Sequence, residues 1–214
     1  IKSSAASDVY KRQVKRLTGR MVAINLEPAT IKNNDEESVW NLTAGRQATV
    51  DNARKAADMG VDMIVLTGNP GVGADNEAII QALSKLKDAV GDRVILTAGK
   101  MHASGIISEA GEKILTEKDI VDFIDAGADV ILLPAPGTVP GITMEYAGKL
   151  IKKAHEKGAL AMTTIGTSQE GADEDTIRQI ALMCKMAGAD IHHIGDSGYC
   201  LLYTSPSPRD GATS

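Results

Sequence analysis

Aromatic side chains are nearly missing from this chain: one Phe, one Trp and four Tyr in 214 residues. With so few rings the core must be aliphatic, filled by Val, Ile, Leu, Ala and Met as buried parallel strands usually are. A basic surface is missing too. The formal net charge is −5, and no Lys/Arg stripe is interleaved with rings, which argues against a nucleic-acid partner. Two cysteines, Cys184 and Cys200, build no disulfide framework, and Cys184 lies in a helical stretch where a buried thiol is expected. No apolar run approaches membrane-spanning length and no signal peptide is visible, so the sequence reads as non-membrane and cytoplasmic. The chain also lacks His-x-His and His-x-x-x-His zinc spacings. What hydrophobic residues there are, 43% of the chain, suffice for one large core.

Six short apolar runs stand out: Met21–Leu26, Asp62–Leu66, Arg93–Leu96, Asp129–Leu133, Leu160–Thr164 and Asp190–Ile194. Each is followed by a loop rich in Gly, Thr, Asn, His or Lys. Three of the entrances nearly repeat: Met59-Gly60-Val61-Asp62, Ala126-Gly127-Ala128-Asp129 and Ala187-Gly188-Ala189-Asp190. Each reads as a helix end, a Gly free to take positive φ, then a strand. Between the runs, apolar residues at helical spacing predict helices Ala48–Met59, Asn76–Val90, Glu117–Ala126, Thr143–Lys157 and Asp173–Ala187. Thr116, with Asp119 three residues on, is the expected cap of the third.

Strict alternation of strand and helix fits either an open doubly wound sheet or most of a (β/α)8 barrel. Chemically rich loops after every strand favour the barrel, because an open sheet concentrates its chemistry at one switch point. The expected fold is therefore α/β, an incomplete (β/α)8 TIM barrel with about six parallel strands of eight. A complete barrel takes about 250 residues. The ends, Ile1–Gln13 and Cys200–Ser214, show no periodicity that joins this pattern. SAASDVYKRQ and LLYTSPSPRD resemble translated sequencing-adapter sequence, which implies non-native tails at 1–13 and 200–214 around a partial barrel, a fragment, at 14–199.

The stretches AINLEP, LTGNPG, AGKMHASG, LLPAPGTVPGIT and ALAMTTIGTSQEGADEDTIRQIALMCKMAGADIHHIGDSGY carry a resemblance. They are similar to a group of bacterial TIM-barrel proteins without assigned activity, often labelled "haloacid dehalogenase-like hydrolase". The resemblance implies a barrel whose first strands and final helix are absent, and it brings no reaction. The hydrolase label lacks its chemistry here, since no Asp-x-Asp-x-Thr follows an apolar strand. Gly195-Asp196-Ser197-Gly198-Tyr199 is similar to a turn of phosphoenolpyruvate mutase-like enzymes, but it follows the last strand rather than an early one.

The candidate site residues cluster after the strands. Lys100, beside Gly99 and His102, stands where a barrel lysine forms a Schiff base or neutralises an enolate, with His102 shuttling the proton; a surface lysine is the alternative. Glu27, on the same face as Asn25, is a candidate general base or hard-metal ligand, or else a carboxylate paired with a neighbouring strand's lysine. Gly68, Asn69 and Gly71 belong to a loop that is not a P-loop, since no Lys-Ser/Thr follows. It is either a tight turn or a set of backbone N–H groups turned toward an oxygen anion. Gly166, Thr167, Ser168, Gly195, Ser197 and Gly198 would hold phosphate or carboxylate. Asp173, Glu174 and Asp175 already occupy the next helix's first turn and repel an anion there. Asp196 is a further acid/base or metal candidate. His192 and His193 must face opposite sides of their strand and read as core histidines. Pro134–Gly141, with three prolines, predicts a rigid wall.

The leading expectation is an enzyme using lyase, aldolase or isomerase chemistry through an enol(ate) on a small phosphorylated or carboxylated metabolite. Its partner is that anionic ligand, and the full-length protein is a candidate homo-oligomer. Metal-assisted phosphate hydrolysis through Glu27 and Asp196, with a divalent ion such as Mg as cofactor, and a non-catalytic ligand-binding barrel are the alternatives. Open edges at Met21–Leu26 and Asp190–Ile194 would favour unwanted pairing.

Overall fold

The structure, a computed structural model, describes residues 15–28, 44–68, 74–101, 111–165 and 173–194. Six strands, β1 (Ala23–Leu26), β2 (Met63–Gly68), β3 (Ile95–Lys100), β4 (Val130–Pro134), β5 (Leu160–Ile165) and β6 (Ile191–Ile194), form one parallel sheet in the order of the chain. That order decides between the two expected architectures. A doubly wound sheet reverses its order and carries helices on both faces. Here the order never reverses, so right-handed crossovers place every helix on the same face. The fold is an incomplete (β/α)8 barrel in which β1 and β6 are the outer strands.

Five helices cover the outside: α1 (Val50–Asp58), α2 (Asn76–Val90), α3 (Glu117–Asp125), α4 (Met144–Glu156) and α5 (Glu174–Ala187). Each starts where a Thr or Asp side chain accepts a first-turn N–H: Thr49, Asp75, Thr116, Thr143 and Asp173. Thr116 and Asp119 complete the expected capping box. Each helix also packs on the next. Their apolar stripes, with Ile79, Leu83, Leu86, Phe123, Leu150 and Ala154, meet Leu26, Ile64, Leu66, Leu96, Ala98, Ile131 and Leu133 in one aliphatic core.

Strand alternation sends the intervening residues to the concave inner face. There Met63, Val130, Leu132 and Met162 form a second, smaller cluster, with Val65, Ile95, Met101 and Ile191 packed against it. A singly wound sheet with an apolar lining on both faces is the physical signature of barrel geometry.

The three repeated entrances have a common structural job. Gly60, Gly127 and Gly188 all adopt positive φ, at 83°, 114° and 99°. The Asp two residues later then clamps the preceding strand. Asp62 donates its N–H to the Val22 carbonyl (2.9 Å) and accepts the Val22 N–H on its carboxylate (2.9 Å). Asp129 does the same with Leu96 (2.8 and 2.9 Å), and Asp190 with Ala161 (3.0 and 2.8 Å). Each carboxylate also meets a basic side chain ahead of that strand: Lys15 at 2.6 Å, Lys87 at 2.8 Å and His155 at 2.8 Å. The described chain thus contains three βαβ units, each closed at its lower end by one Asp. Ordinary burial pushes the Asp190 carboxyl up, but the Ala161 N–H and His155 outweigh it and leave it below the usual range. The Lys15 hydrogen bond, then the Val22 N–H, hold Asp62 low as well.

These clamps correct the expected strand starts. Met21, Val22 and the three Asp residues precede the strands, and the polar groups of Val22 and the Asp residues are spent on the clamps. At the other end β2 and β3 run further than expected. Thr67 pairs with Gly99 and Gly68 with Lys100, so residues expected in loops belong to the sheet. Gly99 makes this extension feasible: a Cβ there would lie 1.8 Å from the Leu132 carbonyl oxygen. The proline-rich turn after β4 does shape a wall, of a shallow depression lined by Pro136–Met144 and by Met183 of α5. That depression lies outside the inner face.

Candidate active site

Every strand but β4 carries a polar residue on the inner face, Thr97 level with Val65 and Val130 of the apolar floor and the others nearer the C-terminal rim. On the inner face stand Asn25 of β1, Thr67 of β2, Thr97 of β3, Thr164 of β5 and His193 of β6. Thr67 donates its hydroxyl to Asn25 Oδ1 at 3.1 Å. Thr164 pairs in register with His193 on one side and Pro134 on the other. The three threonines are missing from the sequence-derived candidates. The signal for them was present, since each sits two residues past an apolar inner-face position: Val65, Ile95 and Met162.

Glu27 follows β1 on the same side as Asn25 and is 7% exposed. Its carboxylate is gripped by the Arg46 guanidinium. Arg46 ends the 3₁₀ turn Ala44–Arg46, whose backbone accepts the Glu27 N–H at 2.8 Å, while the Glu27 carbonyl accepts the Ala48 N–H at 2.9 Å. The expected partner was a lysine on a neighbouring strand. The observed one comes from the next connection in the chain, because that turn docks against the end of β1. Among the described residues no group of three or more His, Cys, Asp or Glu converges on a metal-sized site. The Glu27–Arg46 pair supplies a charge-neutral wall.

Lys100 ends β3 and is 2% exposed, among the largest fully buried side chains of the described residues. It shares its side of the strand with Leu96 and Ala98, which belong to the helix-side core. Its stem crosses Gly68, where an added Cβ would lie 2.8 Å from Lys100 Cγ and 3.1 Å from Cε. Gly68 is therefore glycine to make room for this lysine. Lys100 is partnered, as the burial of a cation demands. So Lys100 sits at the rim, but the structure does not bring it onto the inner wall with Asn25 and the threonines.

His192 and His193 face opposite sides, as expected. His192 Nδ1 lies 3.2 Å from the Thr163 hydroxyl on the helix side, and His193 looks inward. Cys184 is buried nearby, and burial pushes its thiol up despite a hydrogen bond from Thr163. The remaining expected site residues, His102, Asp196, Asn69, Gly71, Gly166, Thr167, Ser168, Gly195, Ser197 and Gly198, lie outside the described residues.

Comparison with known proteins agrees with the fold. A family model described as a domain of unknown function (DUF7916) matches residues 2–206. The match takes in nearly all of the first stretch read as adapter-like and extends into the second as far as residue 206, so the adapter reading has no support. No protein of curated function matches the chain. Among solved structures, the tetrameric deoxyribose phosphate aldolase from Aeropyrum pernix superposes with a TM-score of 0.54 at 16% identity, covering 88% of this chain and 70% of that one. An archaeal fructose-1,6-bisphosphate aldolase, solved with its catalytic Lys covalently bound to the carbinolamine intermediate of the substrate, gives 0.55 at 16% identity, covering 91% and 78%. These likenesses show a barrel fold shared with aldolases. They do not point to haloacid dehalogenases, in keeping with the missing Asp-x-Asp-x-Thr.

Proposed function

We propose an activity for the DUF7916 family, to which this chain belongs: lyase or aldolase-type carbonyl–enolate chemistry on a small phosphorylated or carboxylated metabolite. The observation that carries this reading is Lys100, a fully buried lysine at the C-terminal end of a barrel strand, seated by a glycine on the adjacent strand. The C-terminal rim is where barrels do their chemistry. A lysine enclosed there can serve in two ways. As a neutral amine it adds to a substrate carbonyl to form a carbinolamine, which takes one proton from a neighbouring acid, loses water and leaves an iminium that accepts the electron pair of a breaking C–C or C–H bond. As a cation it neutralises an enolate oxygen. In either case a separate group must move the proton. His102, two residues on in sequence, and Asp196 after β6 are the proposed candidates, with Glu27 held in reserve by Arg46.

The anion of the substrate is assigned to the glycine-rich segments after β5 and β6, through Gly166, Thr167 and Ser168 and through Gly195, Ser197 and Gly198. The solved aldolases of similar fold carry phosphorylated substrates in their names, and one is described as tetrameric. Both facts support a small anionic substrate and a homo-oligomer here. A cytoplasmic location accords with the absence, among the described residues, of any helix long and apolar enough to cross a membrane.

One observation favours a second reading, a ligand-binding barrel without catalysis. Strand alternation sends Lys100 toward the helix side, where a partnered lysine can be purely structural. Borohydride trapping separates the two. Incubation with dihydroxyacetone phosphate or pyruvate, followed by reduction and peptide mapping, should add the reduced ligand mass to Lys100. Trapping that persists in Lys100→Met, or no adduct with any keto substrate alongside unchanged activity of that variant, overturns the proposed role.

A further inference from the structure

Four buried side-chain polar atoms among the described residues have no hydrogen-bond partner: Thr97 Oγ1, Thr164 Oγ1, His193 Nδ1 and Asn76 Oδ1. Three of the four belong to the inner wall of the barrel. Thr97 and Thr164 are 0% and 1% exposed. A buried hydroxyl left unsatisfied is costly, so its persistence calls for an explanation. Valine would fill each site with nearly the same shape and no polar atom.

The character of the wall narrows what could satisfy these groups. From Met63 to His193 the inner positions of β2 to β6 are Met, Val, Thr, Ile, Gly, Leu, Pro and His, with no Asp, Glu, Lys or Arg. The wall therefore offers neutral hydrogen bonds and no charge. A threonine hydroxyl donates one bond and accepts two, and an unprotonated imidazole nitrogen accepts one. The natural complement is another hydroxyl, which can also do both. Asn25 and Thr67, already paired at 3.1 Å, continue the same polar surface toward the open edge at β1.

We propose that this inner-wall belt is a seat for a short, uncharged, hydroxyl-rich carbon chain, with Thr97 and Thr164 as its specificity-determining contacts. The proposal deepens, and rests on, the reading of the rim as a carbonyl-metabolite site: the hydroxylated body of the substrate lies along the threonines. It does not depend on Lys100.

The test uses the full chain with erythritol and dihydroxyacetone as probes, and with butane-1,4-diol and inorganic phosphate as controls. Binding is followed by saturation-transfer NMR and calorimetry. The wild type should prefer erythritol and dihydroxyacetone to butane-1,4-diol. Thr97→Val and Thr164→Val should each weaken that binding ~10-fold or more, with a melting temperature equal to or above wild type. Thr164→Ser, which keeps the hydroxyl, should retain it. Equal affinity for erythritol and butane-1,4-diol, or valine variants that bind like wild type, overturns the seat and leaves the hydroxyls to trapped water. A valine variant that melts well below wild type also overturns it, because the hydroxyl would then be serving the fold. Threonine-dependent binding without any borohydride adduct retains the seat and removes the proposed reaction. An adduct with threonine-independent binding does the reverse.

Discussion

The Asp clamps give the account its most quantitative test, because the protein repeats the experiment three times. Replacing Asp62, Asp129 or Asp190 by Ala removes the acceptor of one strand N–H and the partner of one basic side chain. A hydrogen bond to a charged group contributes ~1.5–3 kcal/mol. The carboxylates are partly open, at 27%, 39% and 32%, so water recovers some of that. The exposed ion pair adds only ~0–1 kcal/mol. Each substitution should therefore cost ~1.5–3 kcal/mol. For a domain of this size that lowers Tm by roughly 3–12 °C. Asp→Asn, which keeps an oxygen for the N–H, should cost about half as much. The clamps lie in separate βαβ units and share no partner, so double substitutions should add. Thermal melts by circular dichroism, with urea titrations to fix the free energies, read these quantities. Three Asp→Ala variants within ~0.5 kcal/mol of wild type would refute the reasoning.

The same groups set an acid limit. Asp62 and Asp190 are held below the ordinary value of 3.8, so their stabilisation is complete above that pH and is lost as pH falls below it. Asp62→Asn should flatten that part of a Tm-versus-pH profile; an unchanged profile contradicts the assignment. Gly99→Ala, whose Cβ meets the Leu132 carbonyl oxygen at 1.8 Å, should separate β3 from β4 and abolish cooperative melting. Gly68→Ala meets only the stem of Lys100, so it should cost ~1–2 kcal/mol, less than a backbone clash, while shifting the lysine enough to depress borohydride trapping. A Gly99→Ala protein as stable as Gly68→Ala would show that the strand contact is misjudged.

Periodicity and punctuation made the scaffold legible from the chain alone. The repeated Gly-x-Asp entrances marked helix ends and strand starts, and helix Asn76–Val90 matches its expected bounds in full. The entrances did not disclose the clamps, because an Asp bonding back across 29 to 40 residues is a tertiary fact. Strand ends at Gly68 and Lys100 escaped notice for a similar reason: Gly and Lys look like loop residues until register pairs them. At the site, the sequence left Lys100 between a rim group and a surface lysine, and its side of the strand could not be read, since the strand was ended too early for alternation to be counted. Arg46 was missed because nothing in its local sequence ties it to Glu27. Thr67, Thr97 and Thr164 were missed because threonine is ordinary in strands, and only unsatisfied burial sets Thr97 and Thr164 apart.

The most direct measurement of the central claim is peptide mapping after borohydride reduction in the presence of keto and aldehyde substrates, on wild type and Lys100→Met side by side. The account predicts a reduced adduct on the peptide containing Lys100 and none in the variant. Substrate turnover undiminished in Lys100→Met, or an adduct on another lysine alone, would contradict it.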